Sequence, residues 1–319
     1  MPRETLSLPP APLENRRGCL LGLAVGDALG TTLEFTRPGT FKPLEDMIGG
    51  GPFQLKAGAW TDDTSMALCL AESLAICHGF NPTDQMERYV RWWRQGHLSS
   101  NGTCFDIGIT VRRALARFVE TKDPYAGSTS PDTAGNGSLM RLAPVPIFFS
   151  HDPAKAIYYS ADSSRTTHGA VEAVDACRYF AHLVLGAMHQ VPKVQLLAPG
   201  FAKLFTTWDR APLAPKIAGI AAGSFRQKNP PEIKGTGYVV ASLEAALWAF
   251  HRSTDFRTGA LLAVNLGDDA DTTGAIYGQI AGAYYGEHGI PKDWRDKVCA
   301  IPSFNQVLDQ LMAAIPNAS

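Results

Sequence analysis

The chain has 319 residues and a formal net charge of -1, with 45% hydrophobic and 18% charged residues, the make-up of a globular protein with ample material for a large core. Its basic residues are scattered rather than gathered into a groove or stripe, so a nucleic-acid partner is not expected. The six cysteines form no Cys-x-x-Cys pair and most sit in apolar helical patterns, so they read as small buried hydrophobes of a reducing compartment.

Residues 1–12 are Pro-rich and predict a disordered tail ahead of one domain over 13–316. The first 14 residues lack the basic start and apolar stretch of a secretory signal. Leu20, Leu21, Ala24, Val25, Ala28 and Leu29 then fall into the two rows of a helix, and Asp27 inside it reads either as a buried hydrogen-bonding residue that fixes a neighbouring loop, the favoured reading, or as a group supporting a site from behind. Met66, Cys69, Leu70, Leu74 and Cys77 form a second stripe that stops at Gly79. Further helices are predicted near 83–95, 106–120, 153–163, 168–189, 193–208, 236–251, 255–265, 272–286 and 303–314. Convincing strand alternation is absent, so the fold class is all-α, a single compact multi-helix domain. Loops 36–60, 96–104 and 124–138 are left to wall a pocket. The longest uncharged run, Thr272 to Gly286, is too short to span a bilayer, so a cytoplasmic location without a membrane partner is expected.

Glycine recurs every fourth residue at Gly18, Gly22, Gly26 and Gly30, and again at Gly274, Gly278, Gly282 and Gly286. Each costs up to roughly 1 kcal/mol in a helix interior relative to Ala, so eight of them need a packing reason. Such a row makes a flat ridge that lets a second helix approach closely, which predicts a tight central pair of helices.

At the ends of that pair lie two acidic bursts, Thr61-Asp62-Asp63-Thr64 and Asp268-Asp269-Ala270-Asp271-Thr272. Carboxylates and hydroxyls suit hard cations such as Mg²⁺ or Mn²⁺, and five Asp so spaced repel one another unless cations sit between them. The competing account is an ordinary helix N-cap at each place. Gly135-Asn136-Gly137-Ser138 reads either as a backbone cradle for phosphates ahead of a helix or as a plain turn. Glu34 follows the first helix, where a loop could carry it to the acids.

Taken together, Gly26-Asp27-Ala28-Leu29-Gly30 with Glu34, Trp60-Thr61-Asp62-Asp63-Thr64, Cys104-Phe105-Asp106-Ile107-Gly108, Gly135 to Arg141, Thr167-His168-Gly169, and Gly267 to Thr272 running into Gly274-Ala275-Ile276 resemble the ADP-ribosylglycohydrolases. The resemblance covers residues 15–290. It implies an all-helical hydrolase with a binuclear site of two Mg²⁺ or Mn²⁺ ions at the ends of the central helices. Thr61, Asp62 and Asp63 would hold one ion, Asp269 and Thr272 the other, and Asp271 would bridge them. Glu34 is implied as the acid that positions water or acts on the glycosidic bond, with Asp62 and Asp63 beside it as catalytic candidates. Gly135, Asn136, Gly137 and Ser138 would cradle the diphosphate, His168 would line the ribose side, and Asp106 would sit on the ligand side or serve as an alternative acid.

The implied partners are ADP-ribose and an ADP-ribosylated protein, with an arginine linkage ahead of serine or another hydroxyl. One departure stands out: Ile109 follows Phe105-Asp106-Ile107-Gly108, where the family often has Asn. The acceptor side of the pocket is therefore the part the resemblance leaves open. The alternative is a catalytically inactive ADP-ribose-binding or structural protein on the same fold, against which the intact set of acids speaks.

Overall fold

The protein is described here from a computed structural model, which describes residues 10–201 and 212–316. Residues 1–9 of the expected tail, and residues 202–208 of the helix expected over 193–208, lie outside the described residues. Ala11, within the expected tail, packs buried against the core.

Among the described residues the chain forms helices only, with no strand beyond three isolated bridges. They are α1 (Leu13–Gly30), α2 (Asp62–Cys77), α3 (Pro82–Gln95), α4 (Ile109–Thr121), α5 (Pro144–Phe148), α6 (Pro153–Arg165), α7 (Val171–Met188), α8 (Lys193–Leu196), α9 (Pro215–Ala221), α10 (Val239–Arg252), α11 (Phe256–Val264), α12 (Ala270–Tyr285), α13 (Lys292–Cys299) and α14 (Pro302–Ala314). The all-α single domain expected from the sequence is what forms.

Helix α1 is buried without a break from Gly18 to Gly30, and α12 from Ala270 to Ala283. A helix apolar on all sides has to be surrounded, and these two form the central pair, with α2, α7, α10 and α11 packed around them. The glycine rows are the seam. A Cβ added at Gly22 would stand 2.2 Å from the carbonyl oxygen of Gly278, one at Gly26 2.0 Å from that of Gly274, and one at Gly282 1.9 Å from that of Gly18. These partners are backbone and cannot swing aside, so no larger residue fits.

The register Gly18–Gly282, Gly22–Gly278, Gly26–Gly274 runs antiparallel. It therefore brings the end of α1 at Gly30 onto the start of α12, where a Cβ at Gly30 would meet the oxygen of Ala270 at 2.4 Å. Gly286 differs from the other seven: it lies past the end of α12 at φ 75°, where it stops the helix.

A second apolar cluster joins α2, α3 and α4 through Met66, Cys69, Met86, Tyr89, Trp92, Val111, Leu115 and Phe118. All six cysteines are free; Cys19, Cys69 and Cys177 are buried, while Cys77, Cys104 and Cys299 are only half-buried. No helix among the described residues is long and apolar enough to cross a membrane.

The helix expected over 106–120 begins three residues later, because Asp106 takes a left-handed backbone at φ 58° that cannot belong to it. The short α5, α9 and α13, of five, seven and eight residues, span too few turns for periodicity to reveal them; α13 buries only Trp294 and Val298.

Candidate active site

The antiparallel seam decides what meets at its end. Chain leaving α1 turns through residues 31–33 and delivers Glu34, buried to 4% exposure, beside the start of α12 and its Asp271. Asp27, one turn before the end of α1, points to the start of α2. It accepts hydrogen bonds from the backbone N–H of Thr61 (3.0 Å) and of Thr64 (3.0 Å), and from the hydroxyls of Thr61 (3.0 Å) and Thr64 (2.6 Å). Asp27 therefore satisfies the free donors of α2 from another helix, the structural role expected of it. Burial lifts its carboxyl to about 6 even against those four hydrogen bonds.

The plain N-cap account of the two acidic bursts does not hold. Thr61 and Asp269 stand at the N-cap positions of α2 and α12, yet neither side chain accepts a backbone N–H of its own helix. Thr61 Oγ1 lies 3.2 Å from Asp271 Oδ2, Thr272 donates its hydroxyl to Asp63 Oδ1 at 3.3 Å, and Asp269 Oδ2 accepts from Asn136 at 2.7 Å. The bursts face each other across the seam instead of capping. Thr61 has one hydroxyl proton for two carboxylates, so Asp27 and Asp271 cannot both receive it.

A cavity of about 480 Å³ opens here, lined by Glu34, Asp62, Asp106, Asp268, Asp269, Asp271 and Thr272 on its acidic side, and by Gly135, Asn136, Gly137, Met140 and His168 elsewhere. Among the described residues no Lys or Arg lines it. Thr61 and Asp63 sit just beneath the lining, at 0% and 1% exposure. Oxygens of Glu34, Asp106 and Asp271 all lie within 4.8 Å of one another. Burial first, and then the charge of Asp271 and Asp106, hold the Glu34 carboxyl well above the usual carboxylate range. Asp62, Asp63 and Asp271 are raised by burial and by their neighbours' charge, Asp269 chiefly by burial, and burial brings Asp106 to about 7.

Glu34 Oε2, Asp63 Oδ2 and Asp271 Oδ1 are buried with no hydrogen-bond partner. Buried carboxylate oxygens left bare cost free energy unless a proton or cation meets them, and an all-oxygen donor set of this density fits a hard divalent cation. The resemblance kept Glu34 and Asp106 out of the ligand set; the geometry places their carboxylates at ligand distance from Asp271.

The opposite wall is neutral. Asn136 N–H donates to Gly237 O at 3.1 Å, tying the glycine loop to the segment before α10. Turns, not a helix, follow this loop up to the short α5, so the expected positive helix end behind the cradle is not there. Ser138 does not face the cavity: its hydroxyl pairs with Ser164 at 2.8 Å in the core. His168 does line it, 2% exposed, against Gly135 and Gly137.

Arg141, fully buried, positions both pieces of this wall. Its guanidinium donates to the oxygen of Gly137 (2.9 Å) and to Thr167 Oγ1 (2.8 Å), and lies 4.6 Å over the Tyr89 ring. Thr167 Oγ1 accepts from Arg141 and lies 2.8 Å from His168 Nδ1, to which its own proton is free to go; Nε2 then carries the ring proton toward the glycines. Burial, with the Arg141 charge, lowers His168 to about 3, so the ring is neutral. Arg141 stood in a quoted motif without a role, and only the fold shows one.

Of the three loops expected to wall a pocket, 124–138 does so through Gly135–Gly137, whereas 36–60 and 96–104 contribute no lining residue. A second recess shares Thr110, Gly135 and Gly237 with the first and adds Glu172, Lys216 and Tyr238. Three residues at the site hold left-handed backbones uncommon outside glycine: Phe35, Asp106 and Asp268, each at φ 58°. Phe35 N–H donates to Asp268 O at 2.7 Å and Asp268 N–H to Thr36 O at 2.8 Å, a clasp that ties the Glu34 loop to the start of the second burst.

A family model for ADP-ribosylglycohydrolase matches residues 8–319. An "ADP-ribosylarginine hydrolase Tri1" of Pseudomonas putida (strain GB-1) is 43% identical over 308 residues, covering 97% of this chain and 80% of that protein. The "ADP-ribosyl-[dinitrogen reductase] glycohydrolase" of Rhodospirillum rubrum is 32% identical over 288 residues, covering 88% and 89%. A solved structure titled "ADP-ribosylglycohydrolase-related protein complex" superposes with a TM-score of 0.81 at 44% identity, covering 96% of this chain and 98% of that one. The chain belongs to the ADP-ribosylglycohydrolase family, a family of glycosidase-type hydrolases.

Proposed function

We propose that the protein hydrolyses the glycosidic bond between ADP-ribose and an arginine side chain of a modified protein, using two Mg²⁺ or Mn²⁺ ions, in the cytoplasm. The observation that carries this reading is the bare, buried oxygens of Glu34 and Asp271 at one cavity, with that of Asp63 just beneath its lining. Asp62, Asp63, Asp269 and Asp271 with Thr61 and Thr272 would hold the ions, which when bound clamp a diol and polarise the sugar.

The chain's own residues do the rest. Asn136 Nδ2 holds the Asp269 carboxylate in place, while the backbone of Gly135–Gly137 and the neutral His168 Nε2–H offer donors to phosphate and ribose oxygens. The recess at Tyr238 leaves room for the adenine end of a long ligand. Glu34 would orient water toward the anomeric carbon, and Asp106, whose carboxylate lies within 4.8 Å of it, would pass a proton toward the departing nitrogen. The name of the Pseudomonas putida relative, an ADP-ribosylarginine hydrolase, favours arginine over a hydroxyl linkage.

The test is release of free ADP-ribose, followed by mass spectrometry, from peptides modified on Arg, Ser, Thr or Glu in the presence of Mg²⁺. Release from the arginine peptide first and fastest is expected, and no release from any peptide refutes the reading. In the same assay Glu34→Gln is expected to bind ADP-ribose while turning over roughly 100-fold or more slowly, the scale of a lost acid or base. Full turnover in that variant moves the role to Asp62, Asp63 or Asp106.

A further inference from the structure

Phe35 follows Glu34 directly, lines the cavity, and is nevertheless 66% exposed. A bulky aromatic residue rarely takes φ 58°, and water is a poor place for its ring. The backbone clasp to Asp268 imposes both conditions at once, and strain of this kind gathers at functional sites. The ring does not stand alone. Phe53 meets it edge-on with centroids 6.4 Å apart at 72°, and Phe105, the residue before Asp106, lies 5.0 Å beyond Phe53. Ile109, 71% exposed, lines the same opening.

We propose that Phe35, backed by Phe53 and Phe105, is the platform on which the guanidinium of an ADP-ribosylated arginine stacks, and that it selects arginine over hydroxyl linkages. This rests on the hydrolase reading above. The occupant follows from continuity and charge. The platform continues outward from the cavity where the glycosidic bond would lie, and among the described residues no lysine or arginine lines that opening to repel a guanidinium. A guanidinium joined to a sugar through nitrogen stays planar and cationic, the chemistry that stacks on an aromatic face. A serine linkage offers neither plane nor charge. Phe35 thus acts as a specificity residue and takes no part in bond cleavage.

The test uses the full chain with Mg²⁺ in the slow Glu34→Gln background, so that binding is read without turnover. Calorimetry compares ADP-ribose, an ADP-ribosylated arginine peptide and an ADP-ribosylated serine peptide. Phe35→Leu is expected to weaken the arginine peptide by about 3- to 30-fold, the range of one cation–π contact, and to leave the other two within about twofold. Phe35→Tyr is expected to restore the arginine preference, and Phe53→Leu, which removes the backing ring, to lose part of it. An arginine preference unchanged in Phe35→Leu overturns the platform, as does an equal loss for ADP-ribose, which would mark a merely structural role. A protein that binds ADP-ribose with no gain for the arginine peptide refutes the platform alone. One that binds neither refutes the function and the platform with it.

Discussion

The two acid-bearing helix starts look alike in sequence and are built differently. At α2 the N–H groups of Thr61 and Thr64 are taken by Asp27, reaching across from α1, so that Asp62 and Asp63 are released from local duty. At α12 no acid from elsewhere among the described residues does this; Asp269 is held by Asn136 from the neutral wall, and Asp271 meets Thr61. One start is secured from within the core and the other from the ligand side. A helix start can therefore present carboxylates to a ligand once another element takes over its capping, and what takes over decides whether ligand binding is felt there.

The sharpest way to break the comparison is Asp271→Ala. Asp271 is the acid with one oxygen bare and the other near Thr61 of the opposite start, so its loss should abolish cation binding and hydrolysis together. Metal stoichiometry and turnover measured on the purified variant check this, and two ions still bound to it would defeat the binuclear assignment.

Next in size is Asp27→Ala, which strands the buried N–H groups of Thr61 and Thr64. A loss of about 3 kcal/mol or more in denaturant unfolding is expected from two such groups. The matching change at the other start, Asn136→Ala, should cost little stability and weaken ADP-ribose binding instead. If both variants lose stability alike, the two starts are not built differently.

A smaller effect follows from pH. Asp27 at about 6 and Asp106 at about 7 have folded values above their unfolded ones near about 3.9, so the stability they contribute is present at low pH and is lost as pH rises through about 6 to 7. Cations and protons compete for the neighbouring carboxylates of Asp62, Asp63 and Asp271, which burial and each other's charge raise likewise. The rise in melting temperature on adding Mg²⁺ should therefore be larger near about pH 8 than near about pH 5.5, and equal shifts at the two would contradict it.

The smallest effect is expected at Asp268, which belongs to the burst and serves the clasp through its backbone. Asp268→Asn, which tolerates the left-handed backbone, should keep full activity, and Asp268→Ala should lose about 0.5–2 kcal/mol of stability while still turning over. Thermal melts and steady-state rates on the pair suffice. A collapse of activity in Asp268→Asn would add this acid to the machinery.

Much of the architecture was legible because it is local or repetitive. Apolar rows at helical spacing marked α1, α2, α3, α6, α7 and α10 to α12, and the four-residue glycine period announced a backbone-to-backbone pair, since nothing else justifies glycine inside a helix. The order of the motifs identified the acids. Side-chain direction was not legible. Ser138 turns into the core and Asp106 leaves the helix for a left-handed backbone, although both sit inside motifs that suggest otherwise.

The sequence by itself determined the helices, the tight central pair and the residues with chemistry to offer, because periodicity, glycine and carboxyl chemistry are properties of short stretches. Only the tertiary structure decided that the seam runs antiparallel with Gly30 on Ala270, and so sets Glu34 beside Asp271. It also decided that Arg141 fixes Gly137 and, through Thr167, His168, and that a clasp to Asp268 turns Phe35 outward. Each of these depends on contacts between segments far apart in the chain, where the energy of the assembled core overrides what any local pattern prefers.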